Sequence, residues 1–213
     1  MYQMLQYSLP VQVQEIHALE KNNVLKGRTD LIVLRHMARQ LRLTLLTIDG
    51  ASDAVFPLRY QLTERHTSLH RMLFYRPAQL FGEETLSFVG FVSGRQPAID
   101  LDLSAELLQA DQQMLTKLTH IPGLLAYSSL ELQPGRWYNL VVMQSFEVKS
   151  DLKKIDMHQH AAYQLGPRAY DWIRIHSGIF PGGLAKNTPQ LIKTRHYAFT
   201  ATLKNFQLYE AVY

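Results

Sequence analysis

Apolar positions along residues 84–206 follow two periods, one typical of strands and one typical of helices. Residues 86–93 form a short apolar run ended by Gly94, which predicts a buried strand. Residues 100–104 supply helix-start chemistry, with Ser104 as the N-cap, and apolar side chains continue at helical spacing to residue 118. Pro122-Gly123 ends this pattern. The segment therefore predicts a strand followed by a helix.

A hairpin and a second helix are predicted next. Residues 124–132 alternate between the two faces of a strand, and residues 137–143 form the returning strand, which must be antiparallel to it. Pro134-Gly135 fits the centre of a type II turn, because proline presets φ and glycine accepts a positive φ. An apolar stripe over residues 148–165 predicts the second helix. Gly166-Pro167 ends it, since the residue before a proline avoids the helical region.

Two further strands complete the pattern, at residues 170–177 and 194–203. Residues 178–190 are rich in glycine and proline and predict a long loop of the kind that often serves as a lid. The order of elements predicts an α+β fold, a ferredoxin-like β-α-β-β-α-β sandwich. Both helices must cover one face of its sheet. We therefore expect the other face to be buried against a second copy, in a homodimer.

Residues 1–80 are interpreted as an N-terminal α/β extension, and residues 81–213 as the ferredoxin-like α+β-barrel domain. Apolar spacing predicts a helix over residues 29–40 and a strand over residues 41–48, ended by the turn signal Asp49-Gly50. Further strands or a helix are predicted at residues 56–62 and 69–75. A second ferredoxin-like repeat in this extension is the alternative.

Composition excludes several classes of protein. Of the 213 residues, 46% are apolar and 19% are charged, as in ordinary globular domains. No apolar run is long enough to span a membrane, and the first residues lack a signal-peptide pattern, so a cytoplasmic protein is expected. Cysteine is absent, which excludes disulfides, thiolate metal sites and cysteine nucleophiles.

The net charge of +4 comes entirely from the N-terminal segment. Residues 1–80 hold ten Lys and Arg against six Asp and Glu, whereas residues 81–213 hold twelve of each kind. The excess includes Arg35, Arg39, Arg42, Arg59, Arg65, Arg71 and Arg76. Such a bias suits nucleic acid or anionic ligands. The excess is mild, however, and a solvated basic face is the better explanation, so nucleic acid is not expected as a partner.

Familiar catalytic motifs are missing from the sequence. It contains no Walker A loop, no dinucleotide-binding fingerprint, no zinc-protease motif and no hydrolase nucleophile elbow. His66 and His70 have the i, i+4 spacing that places two imidazoles on one helical face, with Glu64 as the nearest third ligand. The segment lacks a clear helical pattern, so no metal site is predicted.

His158 is the predicted catalytic residue. It lies one turn from Ile155 and Ala162 of the inner stripe, whereas His160 is rotated by about 200° and faces solvent. The two histidines therefore cannot bind one metal ion together. An inward histidine above a sheet suits a general base or a haem ligand. A core or interface histidine is the alternative.

Four further side chains are predicted to bind a ligand: Trp137, Asn139, Arg174 and His176. Trp137 and Asn139 share one face of a strand, and a buried asparagine without a partner costs about 1–3 kcal/mol. Asn139 therefore hydrogen-bonds a ligand or a backbone group, or else it lies exposed. Arg174 suits an anionic group such as a carboxylate.

Residues 137–143, Trp-Tyr-Asn-Leu-Val-Val-Met, followed by a helix with Lys149, Leu152 and His158, resemble the dimeric α+β-barrel superfamily. Antibiotic-biosynthesis monooxygenases and related haem-degrading enzymes belong to it. Such proteins commonly place a histidine on the second helix, facing a pocket between helices and sheet, and His158 matches it. A tryptophan often found near the end of the hairpin strand is missing here.

The resemblance implies a small-molecule-binding homodimer with monooxygenase-like or haem-linked oxidative activity, and haem as a possible cofactor. A non-catalytic interaction or assembly module without a cofactor is the alternative, and whether the protein is an enzyme stays open.

Overall fold

Eight strands form one antiparallel sheet in the computed structural model, which describes residues 11–48, 56–64, 68–82, 84–200 and 203–213. The strands are β1 (Leu58–Thr63), β2 (Leu69–Phe74), β3 (Leu86–Arg95), β4 (Leu124–Gln133), β5 (Arg136–Met143), β6 (Tyr170–Phe180), β7 (Gln190–Thr200) and β8 (Leu203–Val212). Their order is β1-β2-β4-β5-β3-β6-β7-β8. Strands from residues 1–80 and from residues 81–213 thus share one sheet, and the α+β class is as predicted.

Helices lie on both faces of this sheet. They are α1 (Val11–Leu46), α2 (Leu101–Leu118), α3 (Val148–Lys153), α4 (Asp156–His160), α5 (Gly166–Ala169) and α6 (Gly183–Lys186), with a 3-10 turn at Pro77–Gln79 and a π turn at Ala161–Leu165. Within the described ranges, no helix combines the length and the apolar character that crossing a membrane requires.

The central hairpin is as predicted. Residues of β4 and β5 pair antiparallel, with Ser128 opposite Leu140. Gly135 has a φ of 77°, the positive value that the second central position of a type II turn needs. The first helix is also present, but its N-cap was assigned wrongly. Asp100, not Ser104, is the cap, because its carboxylate accepts a 2.6 Å hydrogen bond from the Leu103 amide.

The second predicted helix is interrupted. Ile155 has an extended ψ of 119°, which separates α3 from α4. Gly166-Pro167 does not end the helical region, contrary to the prediction. Pro167 instead occupies the first turn of α5, where its missing amide hydrogen costs little.

The predicted strand at residues 41–48 is wrong, because residues 41–46 belong to α1 and the last two residues follow its end. Buried side chains of α1 recur at helical spacing and continue through the segment; they include Leu34, Met37, Ala38, Leu41, Thr44 and Leu45. Burying this stripe against the sheet outweighs the weak preference of threonine for strands.

The long loop predicted at residues 178–190 is also wrong. Strand β6 continues to Phe180 and β7 begins at Gln190, so only a short connection that carries α6 remains. Gly182, Gly183 and Asn187 have positive φ values and form the tight bends around α6.

The two faces of the sheet carry separate apolar cores. On one face, Leu34 and Leu41 of α1 pack against Phe88, Leu140 and Val142. The other face packs against α2 and α3, through Leu118 and Val148 among others. The face that the sequence analysis assigned to a second copy is therefore covered by α1 of the same chain.

Candidate functional site

Asp30 lies at the centre of a buried polar cluster between α1 and the sheet. Its carboxylate accepts hydrogen bonds from Arg174 Nε at 2.5 Å and Arg174 Nη2 at 2.9 Å, and lies 3.0 Å from His176 Nε2. Asp30 is 1% exposed. Burial by itself would raise the pKa of Asp30, but the bonds from His176 and Arg174 outweigh it and hold that pKa below its usual value.

The cluster continues from His176 towards β8. His176 Nδ1 is 2.8 Å from Thr194 Oγ1, which is 3.1 Å from the hydroxyl of Tyr213. A hydroxyl, an imidazole and a carboxylate in a row resemble a nucleophile activated by a base. Thr194 is only 1% exposed, however, so its hydroxyl is closed to a substrate. This row joins α1 to the sheet.

The predicted ligand-binding residues lie on opposite faces of the sheet. Arg174 and His176 point towards α1, where both contact Asp30. Asn139 is on the other face, where its Oδ1 accepts a 3.1 Å hydrogen bond from the Tyr127 hydroxyl. Trp137, two residues earlier on β5, shares that face, and its indole N–H is buried without a partner among the described residues.

His158 lies half-buried on α4, on the side of α2 and α3. Burial, assisted by the charge of Lys153, lowers its pKa and favours a neutral imidazole. Neither ring nitrogen hydrogen-bonds within the part of the chain that the structure describes.

A groove on the outer side of α1 collects positive charge. It has a volume of about 490 Å³ and runs between α1 and the residues after α6. Its lining, called the arginine groove below, consists of Ile32, Arg35, His36, Arg39, Arg42, Lys186 and Asn187. A smaller hollow of about 220 Å³ shares Ile32 and Arg35 with it and adds Arg28.

Three side chains that could ligate a metal meet at one end of β2. Glu64 Oε1 is 3.0 Å from His36 Nε2 and 2.8 Å from His70 Nδ1. Burial opposes ionisation of Glu64, but the two histidine contacts outweigh it and lower the pKa of the carboxyl group. His70 lies on a strand, so the helical spacing considered for it does not apply, and its proposed companion His66 lies outside the described residues.

Asp30 and His36 were not singled out from the sequence, although both lie within the helix predicted over residues 29–40. Asp30 precedes Leu34 by four residues and thus lies on the inner stripe. A carboxylate on an apolar stripe needs a cationic partner. That signal could have linked Asp30 to an inward arginine such as Arg174. Nothing in the sequence indicated that His36 would meet residues 64 and 70.

Comparison with known proteins identifies no family: no family model, no curated protein and no solved structure matches the chain.

Proposed function

We propose that the protein binds a small anionic ligand with several phosphate or carboxylate groups in the arginine groove. Under this proposal, the small-molecule site expected from the sequence lies on the outer side of α1. The proposal rests on the sequence expectation of a small-molecule-binding protein and on the charge and shape of the groove.

One observation carries the proposal: three cations that line the groove have no carboxylate partner among the described residues. Arg35, Arg39 and Lys186 form no ion pair with any described residue. Four arginines elsewhere in the described structure do so, in the pairs Arg71–Asp111, Arg168–Glu106, Arg174–Asp30 and Arg195–Glu210. An external anion would complete the groove in the way that protein carboxylates complete those pairs.

Spacing along α1 supports a ligand with more than one charge. Arg35, Arg39 and Arg42 are separated by four and three residues, so their guanidinium groups lie on one side of the helix. Like charges at this spacing destabilise a helix by a few tenths of a kcal/mol per pair, and a shared anion removes that repulsion. Guanidinium groups bind phosphate and carboxylate with paired hydrogen bonds, and the groove falls within the usual size of ligand sites, about 300–1,000 Å³.

Tripolyphosphate is a suitable probe, titrated calorimetrically at low ionic strength. Arg35→Ala and Arg39→Ala should each weaken binding about tenfold, since a hydrogen bond to a charged group contributes about 1.5–3 kcal/mol. Arg59→Ala is the matched control. Arg59 is exposed and opposite Leu73, which belongs to the core on the other face of the sheet.

Absence of tripolyphosphate binding, or equal losses in the control and the groove variants, would overturn the proposal. A single-stranded oligonucleotide titrated in parallel separates the two kinds of polyanion. Binding of the oligonucleotide alone, with a steep salt dependence, would assign the groove to nucleic acid instead.

A second candidate function is the oxidative activity that the resemblance implies, centred on His158. Burial favours a neutral His158 imidazole, and neither this ring nor the Trp137 indole N–H on the same side of the sheet has a hydrogen-bond partner in the described ranges, which favours it. Haemin added to the purified protein should then give a Soret shift that His158→Ala abolishes and His120→Ala preserves. A spectrum without any shift would exclude haem as a cofactor. If neither haemin nor tripolyphosphate binds, the non-catalytic interaction module is favoured instead.

We also infer a ferredoxin-like unit from β3 to β6. Its support is the antiparallel order β4-β5-β3-β6, with α2 and α3 on one face. The homodimer stays a prediction. Because α1 covers the face that first suggested it, a dimer would have to use another surface. Light scattering coupled to size-exclusion chromatography measures the mass directly, and a mass near 24.6 kDa would exclude the dimer.

A further inference from the structure

We propose that His36, Glu64 and His70 bind a divalent transition metal ion of the zinc class. The proposal goes beyond the anion site and does not depend on it, although His36 also lines the arginine groove. The candidate ligands come from the middle of α1, the residue after β1 and the second residue of β2.

The distances suit one ion. One ligand atom from each of the three side chains lies within 4.8 Å of the others, and Glu64 Oε1 is 3.0 Å and 2.8 Å from the two imidazole nitrogens. Tetrahedral ligands with metal bonds of about 2.0–2.1 Å lie about 3.3–3.4 Å apart. The two distances from Glu64 differ from this spacing by only a few tenths of an ångström, and the 4.8 Å limit leaves room for an ion between the three ligand atoms.

The donor set has the chemistry of a metal site with an open position. Two imidazole nitrogens and one carboxylate are the three protein ligands of many catalytic zinc sites, and also of a class of non-haem iron sites. A fourth position is then available to water or to a ligand. Calcium and magnesium prefer oxygen ligands, so this set favours the later first-row metals.

His70 is held in a ligating orientation by a residue outside the set. Its Nε2 is 2.6 Å from Ser128 Oγ, and both residues are fully buried. That contact fixes the ring so that Nδ1 points at Glu64. Metal-binding histidines usually have such a partner on the second nitrogen.

The test uses the full chain, freed of metal with a chelator and titrated with Zn²⁺ and, separately, Co²⁺. We expect one equivalent of each ion to bind, a higher melting temperature with Zn²⁺, and a visible Co²⁺ spectrum typical of four or five ligands. His36→Ala and Glu64→Gln should each weaken metal binding by more than about tenfold. Loss of a residue that only hydrogen-bonds a metal ligand already weakens binding by about that factor, and loss of a ligand itself should weaken it more. His36 has a 40% exposed side chain, so its removal should leave the fold intact, as circular dichroism will show.

His120→Ala is the matched control, because His120 is an exposed histidine on the opposite side of the sheet, next to α2. Retained binding in this variant, with loss in the other two, supports the site. Failure to bind one equivalent, or equal affinities in all variants, would overturn the proposal. Since neither outcome involves tripolyphosphate, the anion site is judged separately.

Discussion

Gly90 of β3 lies directly beneath Leu34 of α1. A methyl group added at Gly90 would come within 2.5 Å of Leu34 Cδ1. Leu34 is 1% exposed and packed on all sides, so it has little room to move away. The missing side chain at Gly90 thus sets how closely α1 approaches the sheet, and with it the positions of Asp30 and His36.

Gly90→Ala should lower the free energy of unfolding by about 1–3 kcal/mol, because overpacking a close contact forces neighbouring side chains from their preferred rotamers. Chemical denaturation measures the change. Gly82→Ala is the control, since its added methyl would meet nothing closer than 3.8 Å. Combining Gly90→Ala with Leu34→Ala should cost less than the sum of the two changes. If the loss in the double variant equals the sum of the two single losses, the added methyl group is accommodated by residues other than Leu34.

Asp30→Ala should destabilise the protein by about 3–5 kcal/mol. Removing one partner of a buried ion pair leaves the charge of Arg174 uncompensated between α1 and β6. Asp151→Ala removes a carboxylate from an exposed pair with Lys154 and should cost less than about 1 kcal/mol. Denaturation of both variants gives the comparison, and similar losses would refute the structural role assigned to Asp30.

His196 should make the protein less stable in mild acid. Burial and the nearby charges of Arg174 and Lys26 lower its pKa from 6.5 to about 4, so the folded state resists a proton that the unfolded state accepts. This contribution is complete above pH 6.5. It is lost as the pH falls towards 4, by up to about 3 kcal/mol.

Contacts of the His196 ring explain the direction. Nδ1 is 3.2 Å from Asn23 Oδ1, and Nε2 is buried without an acceptor in the described structure, so a second proton would have no partner. His196→Gln cannot titrate and should flatten the dependence of unfolding free energy on pH between 6.5 and about 4. An unchanged slope would assign the acid sensitivity to other groups.

Tyr213→Phe should lower the free energy of unfolding by about 1 kcal/mol, the usual net value of one hydrogen bond. Its hydroxyl contacts Thr194 Oγ1 at 3.1 Å and the Val24 carbonyl at 3.4 Å, and so links β8 to α1. Tyr163→Phe is the control, because Tyr163 is 78% exposed. Thermal unfolding of both variants measures the difference, and no loss at position 213 would show that this link is unimportant.

Strands and the central hairpin were predictable because their signals are local. The alternation over residues 124–132 and the Pro134-Gly135 turn require no knowledge of distant partners. Predictions failed where a partner far along the chain decides the structure. Residues 41–46 are helical because α1 packs on the sheet, and the bend at Ile155 depends on packing that spacing alone does not show.

The candidate sites also combine residues that the sequence alone indicated with residues that only the tertiary fold brings together. Arginines 35, 39 and 42 form a visible stripe once the length of α1 is known, and their charge bias was evident in the sequence. Glu64 and His70 were recognised as potential ligands. Their third partner, His36, lies 28 residues before Glu64, in another element, and only the tertiary fold brings it near.

Helix α1 has a consequence for the order in which the protein is made. Its polar anchors, Arg174, His176 and Thr194, lie at least 144 residues beyond Asp30 in the chain. A ribosome completes α1 long before it releases these strands. Until then the apolar stripe of the finished helix has no complete sheet to pack against. We therefore expect chaperones to bind and protect the nascent chain at that stage.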